Sequence, residues 1–235
     1  KHVRAGKTTY TDGSIYFGEF NTTGERDGKG VLHLDEEESR FSGWWKADVR
    51  YGPGEELHQD GTFFQGIFDA GERHGYGYMK WEDESEYQGM FDIGRAEGAG
   101  LLVRADKSCY QGQFHDDMMH GYGEMLWPDG TKYEGQFVEN KRTGVGVMHW
   151  VNSNKWARYY GEWVGGKQQG VGILVLNDGT KCPGLFNNGS LKSWLNEEGK
   201  AREAAKKKEK KEKKEGEEGG GGEKKEKKKK EKEAA

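Results

Sequence analysis

The chain has 235 residues, 33% charged, 32% hydrophobic and 12% aromatic, with 39 glycines, 3 prolines and a formal net charge of −4. So little apolar material argues against a thick two-layer core, and no apolar run approaches the roughly 20 residues of a membrane-spanning helix. The charge is split: residues from Lys200 onward hold 16 basic and 10 acidic groups, about +6, which leaves about −10 on the rest. An acidic body is repelled by nucleic acid and anionic lipid, and the basic tail has no aromatic ring on which a base could stack.

Residues 1–15 read as the second half of a truncated hairpin, because Gly6 and Gly13 frame the same interval as Gly123 and Gly130 further on. The chain starts at Lys1 without Met, so an earlier beginning is expected.

Residues 16–181 hold seven copies of one signature, starting at Tyr16, Phe41, Phe64, Tyr87, Tyr110, Tyr133 and Tyr159, with spacings of 25, 23, 23, 23, 23 and 26. With the first aromatic as position zero, a copy has Gly at +2, an aromatic at +4, Gly, Asn or Asp at +7, and Gly at +11 and +13. It is cleanest from Tyr133 to Gly146. A period of this length marks a repeat architecture. Alternation at +0, +2 and +4 sets two rings and a glycine on one side of a strand. The +7 residue supplies the left-handed backbone of a tight turn, so each copy predicts a β-hairpin. The second strand alternates from +13, with Met79 and Trp81, Met125 and Trp127, Met148 and Trp150, and Leu174 and Leu176 on the predicted core face. Asp60-Gly61, Asp129-Gly130 and Asp178-Gly179 turn the chain into the next hairpin.

No isolated hairpin is stable, so each must stack on its neighbours. The expected fold is all-β: an elongated, single-layer, twisted antiparallel sheet of tandem hairpins. About 14 strands at about 4.8 Å each extend on the order of 70 Å.

Residues 182–199 start an eighth copy at Cys182-Pro183-Gly184, expected to lack its second strand and to act as a degenerate cap. Residues 200–235 are a Lys/Glu/Gly-rich tail, expected to be disordered or partly helical. Glu203 and Lys207, and Glu209 and Lys213, stand at helical i, i+4 spacing, and Gly219 to Gly222 break the run. The functional alternative for the tail is an electrostatic contact with acidic tubulin tails, another protein or anionic lipid.

The signature resembles the membrane occupation and recognition nexus (MORN) repeat, whose unit is similar to Tyr-Glu-Gly-x-Trp-x-x-Gly-x-x-x-Gly-x-Gly. The resemblance spans about residues 6 to 189. Departures are Phe41 and Phe64 for the leading Tyr, and Asp48 and Asp117 where Gly is commoner. It implies a non-catalytic scaffold. Family members act in radial-spoke heads and other axonemal complexes, in protist cytoskeletons, at membrane junctions, and beside lipid kinase or methyltransferase domains.

No catalytic, cofactor-binding or metal-binding residues are expected. Gly161 to Gly166-Lys167 imitates a phosphate loop, but Gln168 replaces the Ser or Thr that holds magnesium. His74 and His120 occupy equivalent turn positions without a second ligand at metal spacing. Glu36-Glu37-Glu38 and Asp83-Glu84 read as solvated turns. Cys109 and Cys182 lie in different copies, which argues against a disulfide and for a reducing cytosolic setting.

Partner-binding candidates are the first-strand aromatics Tyr16, Phe20, Phe41, Trp45, Phe64, Phe68, Tyr87, Phe91, Tyr110, Phe114, Tyr133, Phe137, Tyr159 and Trp163, mostly structural but with exposed ring edges as anchors. Expected partners are protein subunits of a cytoskeletal complex in the cytoplasm, at the cilium or flagellum axoneme, and neither nucleic acid nor a small-molecule substrate. The alternative is a peripheral membrane adaptor for phosphoinositides. Nothing resembles a signal peptide, so family members with a terminal membrane anchor are a poor match.

Overall fold

A computed structural model describes residues 4–34, 39–151 and 153–212. Glu36 to Glu38 and the expected break at Gly219 to Gly222 lie outside the described residues.

Each sequence copy folds as a hairpin. After β1 (Arg4–Thr9) come β2 (Ile15–Phe20) with β3 (Arg26–Leu34), β4 (Ser39–Lys46) with β5 (Val49–Leu57), and β6 (Phe63–Asp69) with β7 (Glu72–Lys80). Then follow β8 (Glu86–Asp92) with β9 (Arg95–Val103), β10 (Cys109–His115) with β11 (Met118–Leu126), and β12 (Lys132–Val138) with β13 (Lys141–His149). The last are β14 (Trp156–Val164) with β15 (Lys167–Leu176), and β16 (Lys181–Asn187) with β17 (Ser190–Trp194). Consecutive strands pair antiparallel throughout, giving one open 17-stranded meander. The eighth copy therefore has the second strand it was expected to lack: β17 pairs with β16, with a register step one residue later and one residue smaller than in the full copies.

The turns carry the handedness the sequence requires. Both central residues have positive φ at Ala47-Asp48, Ala70-Gly71, Ile93-Gly94, Asp116-Asp117, Glu139-Asn140, Gly165-Gly166 and Asn188-Gly189. Two left-handed residues in succession match the twist of a two-residue hairpin turn. The second of each pair also ties hairpins together: the N–H of Asp48, Gly71, Gly94, Asp117, Asn140, Gly166 and Gly189 donates to a carbonyl of the preceding hairpin, at 2.9–3.1 Å. Between hairpins, an Asp accepts the backbone N–H two residues on, as Asp60 does from Thr62 and Asp106 from Ser108, each at 2.8 Å. These bonds hold the Asp60 and Asp106 carboxyls below the usual carboxylate range.

The glycines align. Gly6, Gly18, Gly30, Gly43, Gly54, Gly66, Gly77, Gly89, Gly100, Gly112, Gly123, Gly135, Gly146, Gly161, Gly172 and Gly184 face one another in register across β1 to β16. The leading ring of each copy lies over the pair in its own hairpin. A Cβ on Gly112 would stand 2.4 Å from the Tyr110 hydroxyl, and one on Gly123 2.5 Å from the Tyr110 ring. The row of missing side chains is thus the slot that the rings occupy.

Within each copy the register steps just past the +2 glycine, as between Gly112 and Gln113. Such bulges bend a strand, and they bring the +0 and +4 rings together. Fifteen rings form one edge-to-face ladder: Phe20, Tyr16, Trp45, Phe41, Phe68, Phe64, Phe91, Tyr87, Phe114, Tyr110, Phe137, Tyr133, Trp163, Tyr159 and Phe186. Successive centroids are 4.9–5.6 Å apart and the planes cross at 76–90°. Edge-to-face contacts add about 0.5–1.5 kcal/mol each beyond area burial. Met79, Met125, Met148, Leu174 and Leu176 are buried beside the ladder, while Trp81, Trp127 and Trp150 are half-buried against it. The predicted core face is the observed one.

A helix, α1, covers 197–212 and starts within the segment expected to be a cap. Gly199 seats it on the Trp194 ring, where a Cβ would meet ring atoms at 2.6 Å. Arg202 bonds Asp178 at 2.7 Å, and Lys206 lies over the Trp156 ring.

Candidate partner-binding faces

The structure buries thirteen of the fourteen first-strand aromatics, with Phe20 half-buried. The expectation that Tyr16, Phe41, Trp45, Phe64, Phe68, Tyr87, Phe91, Tyr110, Phe114, Tyr133, Phe137, Tyr159 and Trp163 offer exposed edges is corrected. Each ring's edge is spent on its neighbour's face, which leaves none for a partner. Alternation had grouped these residues on one face, but it does not say how completely that face closes on itself.

The exposed rings lie on the opposite, outer face. The residue between the +11 and +13 glycines points there, as does the residue at +3. Tyr76 is 55% exposed, Tyr122 63%, Trp44 42%, Met90 42% and Ile67 38%. Register links them: Lys29 faces Trp44, Pro53 faces Ile67, and Tyr76 faces Met90. An apolar stripe thus crosses β4 to β8. Its start is a groove of about 660 Å³ lined by Trp44, Pro53, Ile67 and Val31, with Lys29 and Glu55 at its edges. Lys29 Nζ stands 5.2 Å from the Trp44 ring centroid. A contiguous exposed apolar patch on a small protein marks an interaction surface. The signal was present in Gly75-Tyr76-Gly77 and Gly121-Tyr122-Gly123, where a ring beside the core-facing Gly77 or Gly123 must point to the other face.

The inner face is bordered by arginines opposite the +4 rings: Arg26 opposite Phe20, Arg50 opposite Trp45, Arg73 opposite Phe68 and Arg142 opposite Phe137. Arg26 bonds the Asp48 carboxylate at 2.9 Å and stacks on Trp45 at 4.1 Å. Arg50 and Arg73 share Glu56, a buried carboxylate in the row that otherwise holds Leu32, Met79, Leu102, Met125, Met148 and Leu174. Arg142 stacks on Trp163 at 4.4 Å and donates to the Gly166 carbonyl at 2.8 Å. Burial pushes its guanidinium down from the usual value.

Elsewhere the polar side chains form surface pairs. His74 lies 3.2 Å from Asp92. His115 lies 3.2 Å from Glu97, and their hydrogen bond raises the His115 imidazole pKa and lowers that of the Glu97 carboxyl. No cluster of three His, Cys, Asp or Glu suited to a metal occurs among the described residues. The Gly161 to Lys167 segment is strand β14 and its hairpin turn, not the strand, loop and helix that a phosphate requires. Cys109 is half-buried and Cys182 buried, both as free thiols. No helix among the described residues is long and apolar enough to cross a membrane.

A model of the MORN repeat matches residues 64–86, 110–132, 133–155 and 159–181, in phase with the hairpins that start at Phe64, Tyr110, Tyr133 and Tyr159. The chain therefore carries MORN repeats, and the copies at Tyr16, Phe41 and Tyr87 share their register. Comparison with curated proteins finds no match. Among solved structures, the chain is similar to the G-box domain of the microcephaly protein CPAP, with 10% identity, a TM-score of 0.40, and coverage of 78% of this chain and 100% of that one. It is also similar to the SAS-4 (dCPAP) TCP domain of Drosophila melanogaster, determined in complex with a proline-rich motif of Ana2, with 13% identity, a TM-score of 0.32, and coverage of 80% and 90%.

Proposed function

We propose that this chain is a non-catalytic structural scaffold that docks partner proteins within a cytoskeletal assembly, the ciliary or flagellar axoneme, in the manner of radial-spoke-head MORN proteins. The observation that carries the docking role is the outer stripe of Trp44, Pro53, Ile67, Tyr76 and Met90, exposed side by side on a rigid sheet. Rigid aromatic and methionine side chains of this kind are the usual anchors of protein interfaces. The ladder beneath packs each hairpin onto the next and so holds their spacing. The axonemal setting rests on the resemblance of the repeats to those of spoke-head proteins.

The test is a variant with Trp44→Ser and Tyr76→Ser, expressed in ciliated cells. Both side chains are exposed, so the fold is expected to survive with the same circular dichroism and melting temperature. Loss of the variant from isolated axonemes is the expected result. Incorporation equal to the parent would remove this face from the account.

A further inference from the structure

Two half-buried inner-face guanidiniums have no carboxylate within ion-pair distance among the described residues: Arg104 and Arg142. The comparison with Arg26 shows what is missing at Arg142. Arg26 donates to the backbone carbonyl of Asp48 and to its carboxylate; Arg142 makes the equivalent carbonyl bond to Gly166, which has no side chain. Arg104 lies in the row of Trp81, Trp127 and Trp150. Its guanidinium bonds only Ser108 Oγ at 3.4 Å and the sulfurs of Met119 and Met125 at 3.6 and 3.7 Å, weak acceptors for a cation. Both arginines reach toward β11, Arg104 onto its methionines and Arg142 toward Trp127 at 5.8 Å. They are half-buried, so their remaining N–H groups face the open side of the ring-bearing surface.

Beside them the surface is hollow. Where neighbouring hairpins place Arg73, Met119 or Arg142, β9 has Ala96, and a cavity of about 380 Å³ opens among Met79, Trp81, Phe91, Ala96, Leu102 and Phe114, with Arg73, paired to Glu56, and Asp117, which accepts the Ala96 N–H, also lining it. A largely apolar socket and two cations unpaired with carboxylates thus lie on one face between β9 and β13. Four strand spacings of about 4.8 Å make about 19 Å, the reach of about six extended residues.

We propose that this face binds an acidic peptide segment of a partner protein, with one apolar side chain in the Ala96 socket and carboxylates on Arg104 and Arg142 within about six residues of it. This interface is separate from the outer stripe, so either stands without the other. The acidic balance of the repeat body adds to the argument. A chain that repels acidic partners overall keeps two cations free of carboxylates on one face, and these set both position and orientation for the segment.

The probe is a short fluorescein-labelled peptide with one leucine followed by alternating aspartate and glutamate, measured by fluorescence anisotropy on the whole protein at low and high salt. The control peptide carries lysines in place of the acids. The expected result is salt-sensitive binding of the acidic peptide only, weakened about tenfold by Arg142→Gln or Arg104→Gln, as loss of a hydrogen bond to a charged group implies. A second variant tests the same contact without removing an arginine. Gly166→Asp supplies the carboxylate that Asp48 gives Arg26, at a turn position with φ +82° and open space, where Asp48 itself has φ 66°. It is expected to weaken the peptide about tenfold at an undiminished melting temperature. Equal affinity of the parent and both kinds of variant would overturn the proposal. So would tighter binding of phosphatidylserine vesicles through the same arginines, which would replace the peptide by a lipid surface.

Discussion

The hydroxyl of Tyr110 donates to the carbonyl oxygen of Gln113 at 2.9 Å, across the register step that follows Gly112. The same bond recurs from Tyr16 to Glu19, Tyr87 to Met90, Tyr133 to Gln136 and Tyr159 to Glu162. It explains why tyrosine leads most copies although the ring alone fills the slot. Tyr110→Phe is expected to cost about 1 kcal/mol in urea unfolding, the net worth of one hydrogen bond. The reverse change, Phe64→Tyr, places a hydroxyl toward Ile67 and is expected to raise the melting temperature. A lower value would mean that the step at Gly66 differs from the others.

The glycine row predicts a steep cost for a single methyl group. In Gly123→Ala the new Cβ meets Tyr110 ring atoms at 2.5 Å, with Phe114 of the same hairpin and Phe137 of the next holding the ring in place. A loss of about 3 kcal/mol is expected, at the upper end for overpacking. Chemical denaturation of the purified variant measures it.

Ile93 is a β-branched, 74% exposed residue held at φ 45° in the turn between β8 and β9. The equivalent turn position is Gly165 in another copy. Ile93→Asn is expected to stabilise the fold by about 1 kcal/mol, because Asn tolerates the left-handed region that Ile does not. Differential scanning calorimetry reads the gain.

Burial raises the phenols of Tyr16, Tyr110, Tyr133 and Tyr159 to about 12. In the unfolded chain a tyrosine loses its proton near 10, so between these values the native state binds more protons. The tyrosine contribution to stability is therefore fully present below about pH 10 and is lost as pH rises toward 12. Alkaline unfolding is expected to coincide with the tyrosinate absorbance change. Full ionisation with an intact circular dichroism spectrum would contradict the burial of these rings.

The hairpins, their phase and the core face were legible because the constraint is periodic: each glycine answers to a ring, and each turn to a left-handed residue. β17 was not legible, since Ser190 to Trp194 lacks the glycines that mark second strands, and Trp194 itself stands opposite Gly184. The bulges were hidden because the two residues skipped at each step, such as Gly121 and Tyr122 opposite Gly112 and Gln113, leave no mark in the spacing. The exposed rings were not singled out for a related reason. Alternation sorts Tyr76 from Tyr87 onto opposite faces, but only the ring ladder shows which face is closed. The contrast between Asp48 and Gly166 was visible in the sequence as a departure from the pattern, but its consequence needed the position of Arg142.

The most direct test of the scaffold is detergent extraction followed by a salt series on ciliated cells expressing the tagged full-length protein. The account predicts that the protein stays in the demembranated axoneme at high salt, as a built-in subunit held by an apolar interface. Release by detergent alone would contradict it and mark the protein as a membrane adaptor instead.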